Sequence, residues 1–141
     1  MPYSPLLIKP MKEELTSIGF KDLLTAAEVD AAMREADTGV TLVAVNSVTG
    51  AAAGMARPGV RIALEGDGKH PDRLLTVFDD QDLEATSQMR SYFPDIPPSH
   101  PSFALFKDGE IVYFIPRHRI EGRDALQVAA ELTAAFEEHC P

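Results

Sequence analysis

Apolar residues along this chain follow two different spacings, and the switches between them mark its elements. Val40–Asn46 (VTLVAVN) and Leu74–Phe78 (LLTVF) are short, β-branched and apolar on both faces. That is the composition of strands buried inside a sheet. Around them, apolar positions recur at helical spacing. Pro10–Ile18 reads as a short helix stopped by Gly19. Ala51–Leu64 reads as a longer helix bent at Pro58, because a proline removes a backbone donor and clashes with the preceding turn. Asp82–Phe93 reads as another, with Leu83, Met89, Tyr92 and Phe93 facing the core. Thr25-Ala26-Ala27-Glu28 has the form of a capping box. It predicts a helix to about Ala36 that buries Val29 and Met33, with Gly39 closing it.

The half-apolar stretch Phe20–Leu24 is expected at a sheet edge. Pro94–Ser102 is a rigid, proline-rich loop. Ser102–Phe106 and Ile111–Ile115 form a hairpin across Lys107-Asp108-Gly109-Glu110, whose Asp-Gly is a strong turn signal. Gly122 precedes a last helix, Arg123 to about Glu138, expected to bury Leu126, Ala129, Ala130, Leu132 and Phe136. The order is β-α-β-α-β-α-β-β-α. It predicts an α/β protein with a central mixed sheet of four to five strands and helices on both faces. The 141 residues suit one domain with a core large enough to fold alone.

Charge narrows the function classes. The formal net charge is -9, spread along the chain. This argues against nucleic-acid binding, which needs a basic face, and against docking on anionic membranes. No segment is apolar for long enough to span a bilayer. The start, MPYSPLLIKPMKEEL, lacks the order of a signal peptide, so a cytoplasmic location is expected. The only cysteine is Cys140. An intramolecular disulfide and a Cys-based zinc site are therefore ruled out.

One corner invites chemistry. In VNSVTGAAAGMARPG, Val45–Gly59, an apolar strand runs into a small-residue helix start. The segments TLVAVNSVTGAAAGMARP (Thr41–Pro58), LTVFDDQDLEAT (Leu75–Thr86), MRSYFPDIPPSHPSFAL (Met89–Leu105), VYFIPRHRIEGRD (Val112–Asp124) and LTAAFEEHC (Leu132–Cys140) together resemble the bacilliredoxins. These are small bacterial thiol-disulfide oxidoreductases of thioredoxin-like fold. The resemblance runs in order over nearly the whole chain. It implies a thioredoxin-like sheet and removal of bacillithiol, a small thiol, from protein mixed disulfides. Partners would be a thiol-containing protein or a small-molecule thiol, with a homodimer as an option, and no cofactor or metal is expected. The family motif, Cys-Gly-Cys, aligns with Thr49, Gly50 and Ala51, so both thiols are missing.

The physical logic of that motif is a thiolate held at a helix N-terminus, which attacks a disulfide while a neighbouring thiol resolves the product. Thr49 keeps its proton near neutral pH and is expected instead to cap the helix, worth about 1 kcal/mol. Ala51 has no functional group. Pro101 aligns with the family proline before the first hairpin strand, and the resemblance implies a cis bond after His100.

His100, Arg117 and His118 should share the edge of Thr49. There they could hold an anion at the helix start, although Arg117 paired to a surface carboxylate and solvated histidines is the simpler expectation. His70 and His139 read as surface residues, and no H-x-x-x-H spacing appears. Cys140 should lie at the other end of the molecule, about 24 Å of helix away, as an exposed thiol or a tail residue without a role. Three functions follow: a binding module without redox turnover, a monothiol oxidoreductase using Cys140, or an anion-binding hydrolase at the Thr49 edge. Designed replacement of two cysteines would leave the same sequence, but the unequal pair of Thr and Ala and the retained Cys140 favour a natural one.

Overall fold

Val40–Asn46 (β2) is the centre of the protein, and all seven of its residues are buried. The computed structural model describes residues 3–48 and 50–141. In chain order the other elements are α1 (Pro5–Thr16), β1 (Lys21–Asp22), α2 (Ala26–Glu35), α3 (Gly50–Glu65), β3 (Arg73–Phe78), α4 (Leu83–Arg90), β4 (Ser102–Lys107), β5 (Glu110–Ile115) and α5 (Ala125–His139). A single 3-10 turn, Arg117–Arg119, precedes α5. The strands form one mixed sheet in the order β1-β3-β2-β4-β5. β2 runs parallel to β3 and antiparallel to β4, and β5 is antiparallel to β4. β2 and β5 therefore point the same way and end at one edge.

Alternation along β2 feeds two cores, as the period of a strand requires. Leu42 and Ala44 pack with Leu15, Ala56, Val60, Leu132 and Phe136 under α1, α3 and α5. Val43 and Val45 pack on the opposite face with Val29, Met33, Val77, Ala85 and Met89 under α2 and α4. α3 and α5 approach closely at Gly59, where an added Cβ would lie 2.6 Å from Val128 Cγ1. Only a glycine admits that approach.

The strands and the hairpin lie where the apolar pattern places them, including the short β1 at the edge. The helices differ in detail. α1 starts at Pro5, five residues before the expected start, because the Ser4 hydroxyl accepts from Leu6 N–H and proline fits the first turn; Pro10 lies inside the helix. The Thr25 hydroxyl caps Glu28 N–H at 3.1 Å, but the Glu28 carboxylate accepts from Leu24 N–H, not from Thr25. α4 ends at Arg90, so Leu83 (66% exposed) and Tyr92 (37%) stay out of the core while Ala85, Thr86 and Met89 enter it. α5 starts at Ala125 behind a reciprocal Asp124–Gln127 capping box. Its buried stripe is Val128, Ala129, Leu132, Ala135 and Phe136, and Leu126 and Ala130 face solvent.

Candidate functional site

The C-terminal end of β2 delivers three buried or half-buried residues to the corner: Asn46, Ser47 and Val48. Beneath them lies Arg57 of α3, only 8% exposed. A guanidinium out of water needs its donors occupied. Arg57 Nη1 donates to Ser47 O at 2.6 Å and Asn46 Oδ1 at 3.1 Å, and Nε pairs with Glu14 at 3.0 Å. Asn46 Oδ1 also accepts from Ser47 N–H, and its Nδ2 donates to Met11 O. The corner is thus tied to α1 and α3 before any ligand arrives.

A second set of contacts joins the corner to the loops after β3 and before β4. Asp80 Oδ2 accepts from Ser47 Oγ at 2.8 Å and Val48 N–H at 2.7 Å. His100 bridges onward. Its Nδ1 lies 3.1 Å from Ser47 Oγ and its Nε2 lies 3.1 Å from Asp79 Oδ2. Arg90 holds the other Asp79 oxygen at 2.9 Å and reaches Ser99 O at 3.3 Å. The next bond, His100–Pro101, is cis.

Ser47, His100 and Asp79 have the composition of a nucleophilic triad, yet the chemistry fails on two counts. Ser47 is 0% exposed. Its hydroxyl proton is committed to Asp80, because a carboxylate can only accept. Ser47 is therefore not an accessible nucleophile, and the hydrolase expectation at Thr49 lies outside the described residues.

The residues singled out from the sequence divide clearly. Thr49, with its expected cap, lies outside the described residues. Gly50 and Ala51 are exposed at the start of α3, and Gly50 takes a φ of +67°. Arg117 stands beside them: its Nη2 would be 3.5 Å from a Cβ placed on Gly50. Arg117 also donates to His100 O at 3.3 Å, its backbone N–H donates to Ser99 Oγ at 2.6 Å, and its side chain pairs with Glu121 at 3.6 Å. It has a carboxylate partner, as the simpler expectation required. His100 departs from that expectation, being held between Ser47 and Asp79 instead of solvated. His118 is exposed and lines one cavity with His100 and Arg117. A cavity of about 510 Å³ opens beside this edge, walled by Ile96, Pro98, Phe114, Pro116, His118 and Glu121.

Cys140 contradicts its expected exposure. It is 4% exposed, packed in the core with Leu132 and Phe136. Phe136 O accepts its N–H, and the last turn of α5 thereby folds the thiol inward. Burial pushes the thiol pKa up, with Asp72 adding to the shift. Lys69, Asp72 and Lys107 surround it electrostatically, and Lys107 pairs with the first residue of β2. The cysteine thus sits at the opposite end of the sheet from the corner.

Asp79 and Asp80 escaped the sequence reading. The signal for them was present: two acids directly follow a buried strand, and in open α/β sheets ligands gather outside such strand ends.

This architecture, a mixed sheet with a cis-proline loop facing a strand-to-helix corner, defines a thioredoxin-fold protein. The chain superposes on Fasciola hepatica thioredoxin with a TM-score of 0.56 at 19% identity, covering 85% of this chain and 99% of that one. Malassezia sympodialis thioredoxin gives 0.56 at 17% identity, covering 86% and 90%. Residues 3–140 match the disulphide isomerase family. A bacilliredoxin of Salinibacter ruber is 51% identical over 140 residues, 99% of this chain and 82% of that protein. One from Bacillus licheniformis is 51% identical over 138 residues, 98% and 95% respectively. The chain belongs to the bacilliredoxin family, a thiol-disulfide oxidoreductase type of family.

Proposed function

We propose that this protein is a binding member of its family that does not exchange disulfides at its motif. It would hold a thiol-containing protein, or a protein carrying bacillithiol as a mixed disulfide, against the cis-proline edge without turning it over. A cytoplasmic setting suits this reading. No helix among the described residues is long and apolar enough to cross a membrane.

One observation carries the reading: the motif end holds a groove without a cysteine, and the only thiol is buried at the other end. Exchange needs an accessible thiolate in line with the disulfide. Threonine and alanine supply none at the corner, and Cys140 is sealed in the core with a raised pKa. The monothiol alternative loses its support for the same reason. The groove beside Pro101 keeps apolar walls of Pro98, Phe114 and Pro116, with His118 and Glu121 at its rim, a surface suited to a peptide.

The test is a titration with a peptide carrying bacillithiol as a mixed disulfide, followed by NMR and by release of the free thiol. Saturable shifts at Gly50, Ala51 and Phe114 with no thiol released are expected. Catalytic release of bacillithiol, or no binding at all, overturns the reading.

A further inference from the structure

His100 places Nδ1 on Ser47 and Nε2 on a carboxylate oxygen of Asp79. Ser47 Oγ gives its proton to Asp80, so the 3.1 Å contact with His100 Nδ1 requires Nδ1–H to donate to Ser47. A neutral ring then turns the bare lone pair of Nε2 toward Asp79 Oδ2, 3.1 Å away. Two acceptors face each other at hydrogen-bond distance. Something positive belongs between them, either a second ring proton or a metal ion.

Three observations favour the ion. Asp80 accepts both of its bonds on Oδ2 and leaves Oδ1 without a hydrogen bond among the described residues. One ligand atom each from Asp79, Asp80 and His100 lies within 4.8 Å of the others. Two donors 3.1 Å apart subtend about 95° at an ion roughly 2.1 Å from each, between the octahedral and tetrahedral angles.

The surroundings also have the form a metal site requires. A ligating histidine donates its other ring N–H to an acceptor that fixes the tautomer, and Ser47 is that acceptor. Arg90 orients Asp79 through its second oxygen. It also offsets one of the two carboxylate charges, so the affinity should fall below that of a closed structural zinc site. His100 lines the 510 Å³ cavity, which offers access and room for further ligands.

We propose that Asp79, Asp80 and His100 form a site for a first-row divalent cation, bound through His100 Nε2 and one oxygen of each carboxylate. One imidazole and two carboxylates suit the manganese-to-zinc series better than calcium or magnesium. The ion would cross-link the loop after β3 to the cis-proline loop. The site borders the groove of the peptide-binding reading but does not rest on that reading.

The experiment titrates tag-free protein with zinc chloride by calorimetry and with cobalt chloride by visible absorption, using magnesium as the control. One saturable equivalent of zinc and cobalt, with d–d bands for cobalt, is expected. Asp80→Asn, close to isosteric, and His100→Ala should each weaken binding by about tenfold or more, while His139→Ala and Cys140→Ser leave it unchanged. Circular dichroism checks that each variant is folded. No saturable uptake by the unaltered chain into the low-millimolar range overturns the proposal, and so does uptake that survives both Asp80→Asn and His100→Ala.

Discussion

The two ends of the sheet hold complementary halves of one chemistry. At the motif end, α3 starts at Gly50, near a cis-proline loop and an open cavity, but no cysteine is present. At the far end Cys140 supplies the sulfur, but the last turn of α5 folds it into the core. Reactivity of a cysteine is a property of its surroundings, namely access and a stabilised thiolate. Here the suitable surroundings and the thiol are separated by the length of the molecule. The comparison teaches that a family fold can keep its cis-proline loop and helix start while its one thiol lies at the other end of the sheet.

The strongest way to break that contrast is to return the sulfur to the corner. Thr49→Cys with Ala51→Cys should raise mixed-disulfide reduction from background by on the order of a hundredfold or more, since general features of the corner are retained. A folded double variant without activity would show that the corner has lost more than its thiols. The opposite end is tested by labelling. Cys140 in the native protein should react with a thiol reagent on the order of a hundred times more slowly than in denaturant, because modification must wait for opening. Equal rates would mean that the thiol is accessible after all.

Smaller effects test what joins the two ends. Arg57→Ala removes the guanidinium donor to Ser47 O and Asn46 Oδ1 and the pair with Glu14, and should cost about 3 kcal/mol in chemical denaturation. Gly59→Ala forces a Cβ against Val128 and should cost about 1–3 kcal/mol. It acts at the contact between α3, which starts at the corner, and α5, which ends just before Cys140.

The last effect is a pH dependence. The folded thiol pKa of Cys140 lies above its ordinary value of 9.0, chiefly through burial. Its contribution to stability is therefore full below 9.0 and is lost as pH rises through the raised folded value. Cys140→Ala should flatten that alkaline decline, and an unchanged slope would place the thiol in water.

Much of the fold was legible because its signals are local. β2 and β3 announce themselves as apolar, β-branched runs, and Asp108-Gly109 marks its hairpin by turn chemistry alone. Helix boundaries were less legible because caps compete. Ser4-Pro5 outranked Pro10 as a start, and Asp124 with Gln127 set the register of α5, which turned Leu126 and Ala130 outward. The motif position at Thr49-Gly50-Ala51 came from the family resemblance, and α3 starts at its second residue, Gly50. The cluster around His100 was not, since Ser47, Asp79, Asp80, Arg90 and His100 come from four separate segments.

The amino-acid sequence by itself determined the family, the order of strands and helices, and the absence of motif thiols, because those rest on residue identity and short-range periodicity. Only the tertiary structure decided that Cys140 is buried, that Arg57 underpins the corner, and that His100 meets two carboxylates. Those facts depend on long-range distances and on which polar groups lose water, and neither quantity is written in the spacing of residues along the chain.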